Sequence, residues 1–210
     1  MSNKGLLFIV SAPSGAGKTS LCKAVLERIN HNWARKLKWS CSYTTRKPRE
    51  GEKNGVDYFF VSESEFEEMV KRGEFAEWAI VHGHRYGTSK RYLAEAEDKG
   101  IDLLLEIDCQ GARQLRERYQ PGCFIFILPP SLEELKRRLW ERRTEPEEII
   151  QRRLERAKVE VEEYHLYDYI IINDVFEQAV KELESIIISE RARLLVKEEE
   201  IKGIIDQFRR

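Results

Sequence analysis

A glycine-rich turn between an apolar strand pattern and a helix pattern constrains the fold of this chain more than any other feature. Residues 6–10 form an unbroken apolar run, which is typical of a strand buried on both faces of a parallel sheet. The turn at residues 11–19 follows at once, and an amphipathic helix is predicted over residues 18–29. This order predicts an α/β fold whose ligands bind beyond the carboxyl ends of the strands.

The turn, SAPSGAGKT, follows the phosphate-binding pattern G-x-x-x-x-G-K-[ST] except at its first position, where Ala12 replaces glycine. Its backbone N–H groups and the dipole of the following helix can converge on phosphate oxygens. Lys18 would then bind the β- and γ-phosphates of ATP, and the Thr19 hydroxyl would hold Mg²⁺. A chance Gly-Lys-Thr is the alternative, but the flanking strand and helix favour a nucleotide site. The predicted ATP-binding residues of the turn are Ala12, Pro13, Ser14, Gly15, Ala16, Gly17, Lys18, Thr19 and Ser20.

Strand and helix patterns alternate along the rest of the chain, except in two segments. Strands are predicted over residues 103–107, 124–128 and 169–172, and helices over 112–118, 132–140, 146–165 and from 176 toward the C-terminus. Residues 42–88 break this rhythm with a Pro/Gly-rich loop, aromatic strands at 58–61 and 75–81 and a helix at 63–72. We therefore expect one domain, residues 1–210, with a core at 1–41, 89–130 and 154–210, an insert at 42–88 and an arginine-rich lid at 131–153.

Composition narrows the class of partner and the compartment. The 210 residues include 36 Lys+Arg and 37 Asp+Glu, so the chain lacks the net basic charge of a nucleic-acid binder. None of the four cysteines forms a C-x-x-C pair, which favours reduced thiols in a cytoplasmic protein. The N-terminal apolar run is too short for a secretory signal or a membrane span. We expect a cytoplasmic monomer or homo-oligomer with no membrane partner.

A second group of basic residues lies in the predicted insert. Arg46 and Arg49 flank Pro48, and the planar guanidinium group suits bidentate phosphate contacts. Tyr58 and Tyr86 could add hydroxyl donors. A solvated basic loop explains the arginines equally well by themselves, but beside a phosphate-binding turn a second phosphate site is favoured.

The chain resembles the guanylate kinases along essentially its whole length. The segments that carry this resemblance are SAPSGAGKTSL (11–21), SYTTRKPREGEKNGVDYFF (42–60), FAEWA (75–79), HRYGTS (84–89), LLEIDCQGA (104–112), LPPSLEEL (128–135) and IINDV (171–175). The resemblance implies a P-loop NTPase fold, a parallel sheet flanked by helices with an inserted NMP-binding subdomain and a helical lid. It implies transfer of the γ-phosphoryl group of ATP to GMP or dGMP in purine metabolism and GMP recycling.

The resemblance also assigns an acceptor site. The residues implied to bind GMP are Ser42, Arg46, Arg49, Tyr58, Glu77, Tyr86, Thr88, Glu106 and Asp108, of which Ser42, Glu77 and Thr88 would read the base. Guanine presents two donors, at N1 and N2, which one carboxylate accepts, whereas adenine presents an acceptor at N1. The alternatives are an exposed charge for Glu77 and a helix N-cap for Thr88.

Carboxylates and arginines complete the predicted site. Glu106 and Asp108 end the strand at 103–107 on one face, and Asp108 would orient Mg²⁺ through water, although a purely structural acid remains an alternative. By resemblance, the lid arginines Arg138, Arg142 and Arg153 bind the ATP phosphates. Asn173 would lie near the adenine of ATP, unless it is only a turn residue at the end of a strand. Arg143 stands where the family has glycine, so Arg137 or Arg143 could take the role of one of these lid arginines. The other interpretation is a solvated helix whose arginines form ion pairs with glutamates. The expected catalytic residues are Lys18, Arg46, Arg138, Arg142 and Arg153.

Two rival functions follow from the same residues. A kinase of another small acceptor would not need Glu77 and Ser42, which suit a guanine edge. A scaffold domain of the same family that binds phosphopeptides typically lacks a working phosphate loop, and here Gly15, Gly17 and Lys18 are present. The acceptor phosphate oxygen is already anionic, so no catalytic histidine is expected.

Overall fold

The computed structural model describes residues 5–81, 83–118, 122–141 and 146–209. Its strands are β1 (Leu7–Ser11), β2 (Leu37–Trp39), β3 (Ser42–Thr44), β4 (Tyr58–Phe60), β5 (Phe75–Val81), β6 (His84–Ser89), β7 (Asp102–Glu106), β8 (Cys123–Leu128) and β9 (Tyr169–Ile172). Its helices are α1 (Lys18–Asn32), α2 (Glu63–Lys71), α3 (Lys90–Asp98), α4 (Cys109–Arg118), α5 (Leu132–Glu141), α6 (Glu147–Val161), α7 (Phe176–Arg191) and α8 (Leu194–Phe208).

A parallel sheet forms the centre of the molecule, as the sequence predicts. In the described part of the chain it has five strands in the order β2-β7-β1-β8-β9. Parallel pairing brings the carboxyl ends to one edge, so Val10 of β1 lies opposite Glu106 of β7. The loop that follows β1 and the acidic residues that follow β7 therefore meet at this edge.

Helices cover both faces of this sheet and bury its apolar side chains. One face packs against α1 and α7 through residues such as Val25 and Leu183, which are fully buried. The other face packs against α3 and α4 through Leu93 and Leu115. Each buried leucine or valine contributes about 1.5–3 kcal/mol, so these two layers hold the sheet edge rigidly under the site.

The predicted insert is a second sheet with its own small core. Within the described residues its strand order is β4-β3-β6-β5, with β5 and β6 antiparallel. Helix α2 begins at a capping box in which Ser62 and Glu65 satisfy each other's backbone N–H groups. Phe66 and Phe75 stack with ring centroids 4.5 Å apart and form the centre of this core.

Three strands were not predicted from the sequence. β2 and β3 have three residues each, too few to show a period, and β6 (HRYGTS) carries a largely polar sequence. Backbone pairing with neighbours far along the chain makes them strands, such as β3 with β6. Within the insert, the predicted strands at 58–61 and 75–81 and the helix at 63–72 are confirmed to within a residue.

Two predicted helices are corrected. The segment at 146–165 is α6 followed by a 3₁₀ helix at Glu162–Leu166. The single long helix predicted from 176 is wrong, because the helix is interrupted between α7 and α8. Arg193, which lies between them, has a ψ of 143° that is not helical. Helix α7 ends where the side chain of Arg191 is fixed by the buried carboxylate of Asp102, with a 2.8 Å hydrogen bond.

Two further points concern the surface of the helices. Leu135 and Leu139 of α5 are buried as predicted, but Leu132 of the same predicted stripe is 42% exposed. Among the helices of the described residues, none is long and apolar enough to cross a membrane.

Candidate active site

A cleft of about 550 Å³ lies between the carboxyl edge of the central sheet and the insert. It is lined by most of the predicted site residues, namely Ala12, Pro13, Ser14, Gly15, Gly17, Lys18, Thr19, Ser20, Ser42, Arg46, Arg49, Tyr58, Glu77, Tyr86, Glu106, Asp108 and Arg153. Predicted residues near the cleft but not in its lining are Ala16, Thr88, Arg138 and Asn173. Arg142 lies outside the described residues, as does its neighbour Arg143.

The glycines of the phosphate loop are required by its backbone and by its neighbours. Gly15 and Gly17 have φ values of 99° and 93°, in the left-handed region that side chains disfavour. A Cβ on Gly17 would also lie 2.4 Å from Asn173 Nδ2. Asn173 is buried and donates from Nδ2 to the carbonyl of Ala16 at 2.8 Å, so it braces the loop from the end of β9.

Lys18 and Thr19 are held by the residues that end β7. Lys18 Nζ donates to the Ile107 carbonyl at 2.5 Å and lies 4.0 Å from Glu106 Oε1. Thr19 Oγ1 donates to the same Glu106 oxygen at 2.5 Å. The ammonium group and the hydroxyl are thus positioned at the helix N-terminus, where an anionic phosphate is favoured.

Asp108 contacts residues of two helices, α4 and α6. Its Oδ1 accepts from Gly111 N at 2.9 Å, and its Oδ2 lies 3.1 Å from Arg156 Nη2. Arg156 also donates from Nε to Glu160 at 2.6 Å, and both residues line the cleft. This pair was not predicted from the sequence. Its signal was the spacing of Arg156 three residues after Arg153, which places both arginines on one face of α6.

Oxygen donors suited to Mg²⁺ meet at this edge of the sheet. The described residues contain no cluster of three or more His, Cys, Asp or Glu side chains that could enclose a metal. Mg²⁺ binds through one or two carboxylates and keeps water or substrate phosphate as its other ligands, so it needs no such cage. Thr19 and Glu106, which share a hydrogen bond, and nearby Asp108 fit that requirement.

Arg46 of the arginine-rich loop has a side chain that is only 13% exposed, so the interpretation as a solvated loop is wrong for this residue, whereas Arg49 lines the cleft but is exposed. Arg46 Nη2 donates to Glu52 Oε1 at 2.8 Å, and the backbone N–H of Arg49 donates to Glu52 Oε2 at 2.7 Å. The bond from Arg46 lowers the pKa of Glu52. Glu52, which was not predicted, therefore fixes the guanidinium of Arg46 and the backbone of the loop at Arg49.

Two tyrosines form the wall beside these arginines. The rings of Tyr58 and Tyr86 meet edge to face with centroids 5.9 Å apart, and the Arg46 guanidinium lies 5.4 Å from the Tyr58 centroid. Burial raises the pKa of Tyr58, so its hydroxyl keeps its proton and remains a donor at neutral pH.

Glu77 is a buried carboxylate at the base of the cleft. Its residue is 3% exposed, so the interpretation as an exposed strand charge is wrong. Thr88 donates from Oγ1 to Glu77 Oε1 at 2.6 Å, and the helix N-cap is Ser89 instead. Burial raises the pKa of Glu77 to about 7; the hydrogen bond from Thr88 opposes this effect and the charge of Asp108 adds to it. The pairing register of β5 with β6 shifts between Phe75 and Glu77, directly before this side chain.

The described lid residues divide into two groups. Arg153 lines the cleft. Arg138 instead donates to Glu134 at 2.7 Å and to the Asn173 carbonyl at 2.9 Å. Arg137 is exposed and bonds Glu134 and Glu141, so the Glu-pairing interpretation holds for that residue.

Helix α5 also contacts the phosphate loop directly. A Cβ on Gly15 would lie 2.8 Å from Leu139 Cδ2 and 3.0 Å from Leu135 Cδ1. The loop glycine therefore allows the apolar face of α5 to pack closely against the donor side of the cleft.

Comparisons with known proteins agree with this arrangement. A family model described as Guanylate kinase matches residues 4–190. The guanylate kinase of Geobacter metallireducens is 55% identical over 193 residues, which cover 92% of this chain and 93% of that protein. The guanylate kinase of Vibrio parahaemolyticus is 48% identical over 203 residues, covering 97% of each.

A solved structure supports the same relationship. The crystal structure of guanylate kinase from Anaplasma phagocytophilum matches with a TM-score of 0.72 and 33% identity, over 92% of this chain and 89% of that chain. A phosphate loop, an arginine-lined insert and a buried carboxylate thus occur on a fold shared with these proteins along nearly its full length. The chain belongs to the guanylate kinase family.

Proposed function

We propose that this chain transfers the γ-phosphoryl group of ATP to GMP, giving ADP and GDP, with dGMP as a second acceptor. This reaction serves purine nucleotide metabolism and recycles GMP. The observation that carries the proposal is the buried Glu77 carboxylate, which lines the same cleft as the phosphate loop. Family membership supports the reaction, and the cleft supports the division of roles described below.

The phosphate loop and β7 form the donor side. The loop N–H groups and Lys18 bind the ATP phosphates, and Asn173 keeps the loop in shape through Ala16. Thr19, Glu106 and Asp108 would hold Mg²⁺, which when bound neutralises part of the phosphate charge. Support comes from the hydrogen bond between Thr19 and Glu106, which joins the loop to the carboxylate side.

The insert forms the acceptor side. Arg46, Arg49, Tyr58 and Tyr86 bind the phosphate of GMP through cationic and hydroxyl donors. Glu52 orients the guanidinium of Arg46 before the substrate arrives, and it holds the loop backbone through the N–H of Arg49. Such preorganisation reduces the ordering cost of binding the anion.

Glu77 distinguishes guanine from adenine. As a carboxylate it accepts the two donors that guanine presents at N1 and N2, while Thr88 holds one of its oxygens and Ser42 lies in the same lining. Adenine presents an acceptor at N1, which a buried carboxylate repels. Each charge-assisted hydrogen bond contributes about 1.5–3 kcal/mol, so the preference for GMP should reach a few orders of magnitude.

Catalysis then needs positioning and charge stabilisation, with no general base. The attacking oxygen of GMP is already anionic, and Lys18, Arg46 and Arg153 surround the transferring group with positive charge, together with Arg138 and Arg142 when the lid closes. Closure of the insert and lid excludes water and so prevents hydrolysis of ATP.

The test is release of ADP from ATP and Mg²⁺ with GMP, dGMP, AMP, CMP and UMP offered separately. We expect turnover with GMP and dGMP and at least about a hundredfold lower kcat/KM with the other three. Comparable turnover with another monophosphate would retain a kinase but reject the role of Glu77. No turnover, together with no Mg²⁺-dependent binding of a fluorescent ATP analogue, would favour a phosphopeptide-binding scaffold.

We also propose that the protein acts in the cytoplasm. Its four cysteines, Cys22, Cys41, Cys109 and Cys123, are free and buried, as expected for reduced thiols. Detection of the protein in a fraction outside the cytoplasm would contradict this location.

A further inference from the structure

The third residue of α4, Gly111, lies directly against the carboxylate of Glu77. A Cβ built on Gly111 would lie 2.3 Å from Glu77 Oε2 and 3.0 Å from Glu77 Cδ. Real Cβ atoms do not approach other atoms this closely, so any side chain here must move the carboxylate. The next contact, Asp108 Oδ1 at 3.5 Å, is an ordinary one.

The backbone of Gly111 does not require glycine. Its φ lies outside the left-handed region, unlike those of Gly15 and Gly17. Glycine inside a helix is less favourable than alanine because it loses more conformational freedom on folding. The absence of a side chain at this position therefore leaves room for the Glu77 carboxylate next to α4, and it is not needed for the conformation of α4 itself.

Side chains of α4 also form hydrogen bonds with the backbone on both sides of Glu77. Gln114 donates from Nε2 to the Trp78 carbonyl at 2.7 Å and accepts from the Trp78 N–H at 3.3 Å. Arg118 Nη1 donates to the Ala76 carbonyl at 3.4 Å. Within the described residues β5 is an edge strand of the insert sheet, so α4 supplies partners to backbone groups that lack a strand on that side.

The carboxylate of Glu77 thus has a fixed position between two supports. Thr88 holds Oε1, while Oε2 rests against the helix at Gly111. Because Oε2 is the far end of a side chain, its clash with a methyl group at position 111 can be relieved by turning the carboxylate of Glu77, without moving the backbone. The fold should survive this change, but the two oxygens would no longer face the base together.

We propose that Gly111 is a positioning residue that sets the specificity for the acceptor base, by leaving the space in which the Glu77 carboxylate presents both oxygens to guanine. This inference rests on the proposed role of Glu77 in reading GMP. Gly111 itself contacts no substrate and acts through Glu77.

The test compares Gly111→Ala with wild type and with Gly203→Ala, a matched control in α8 where a Cβ meets nothing within 4 Å. Activity is measured with GMP and with IMP, which keeps the N1 donor but lacks the 2-amino donor. We expect Gly111→Ala to lower kcat/KM for GMP by about tenfold to a hundredfold and to reduce the GMP/IMP ratio, with KM for ATP within about twofold of wild type. Gly203→Ala should match wild type throughout.

A double-substitution cycle separates positioning from a general structural effect. In a Glu77→Ala background, Gly111→Ala should cause no further loss with GMP, because the group that it displaces is gone. If Gly111→Ala fails to fold, the double variant should fold, as judged by its thermal unfolding.

Three results would overturn the inference. They are an unchanged GMP/IMP ratio in Gly111→Ala, an equal loss caused by Gly111→Ala with and without Glu77, and failure of both the single and the double variant to fold. A wild-type protein with no preference for GMP would instead reject the proposed function, and this inference with it.

Discussion

The donor and acceptor sides of the cleft are built in different ways. The phosphate loop is one continuous segment whose backbone makes the site, and two glycines at positive φ fix its shape. The acceptor side is made of side chains from separate strands, such as Arg46 after β3 and Glu77 on β5, brought together by sheet pairing. A phosphate that any nucleotide carries can be bound by backbone, whereas one particular base requires a placed side chain.

The two sides also differ in how their charges are held. Lys18 is positioned by the Ile107 carbonyl and by Glu106 at the rigid end of the central sheet. Glu77 is a buried acid whose pKa is raised to about 7, chiefly by burial, so its charge depends on pH in the working range. Changes on the donor side should therefore affect turnover with every acceptor, and changes on the acceptor side should affect the choice of acceptor.

The largest expected effect is on the donor side. Lys18→Ala should reduce turnover by about a thousandfold or more, because it removes the point charge that stabilises the transferring phosphoryl group. The loss should be equal for GMP and dGMP in an ADP-release assay. The exposed Lys71→Ala serves as control, and an unfolded Lys18→Ala protein, seen by circular dichroism, would count against the assigned role.

The next effect should be confined to the acceptor. Glu77→Gln should lower kcat/KM for GMP by about a hundredfold, since the amide offers one acceptor where the carboxylate offers two. KM for ATP should stay near the wild-type value, and Glu74→Gln, at a half-buried glutamate that pairs with Arg72, should behave as wild type. An equal rise in both KM values would remove the distinction between the two sides.

A smaller effect tests the bracing of the phosphate loop. Asn173→Ala removes the 2.8 Å hydrogen bond to Ala16 but keeps the backbone carbonyl that Arg138 contacts. We expect a loss of about 1–2 kcal/mol of stability, measured by urea unfolding, and KM for ATP raised by about fivefold with KM for GMP unchanged. Asn32→Ala, at the exposed end of α1, is the control. A change in KM for GMP only would contradict the proposal that Asn173 holds the phosphate loop in shape.

The smallest effect is a pH dependence on the acceptor side. As pH falls through 7, the raised pKa leaves Glu77 increasingly protonated, and a protonated carboxyl cannot accept both guanine donors, so GMP affinity should fall about threefold between pH 7.5 and 6.5. ATP affinity measured in parallel should not follow this profile. A GMP affinity that is flat between pH 5.5 and 8, or that improves as pH falls, would mean that Glu77 does not bind the base as a carboxylate.

The contrast between the two sides of the cleft also explains which parts of the structure could be predicted from the sequence. The phosphate loop, β1 and α1 are predictable because strand, turn and helix are set by adjacent residues and their local backbone preferences. The contacts of Gln114 with Trp78 and of Arg156 with Asp108 join residues 36 and 48 positions apart, and no local pattern encodes them. Glu52 is nearer to Arg46, but its role needs the folded loop.

The donor and acceptor sides together should move a phosphoryl group from ATP to a guanine nucleotide within one cleft. The most direct measurement follows the label of γ-³²P-ATP after incubation with Mg²⁺ and GMP, with products separated by chromatography. We expect the label to appear in GDP at the rate of ADP release, with little of it in inorganic phosphate. Label found mainly in inorganic phosphate, or left in ATP, would contradict it.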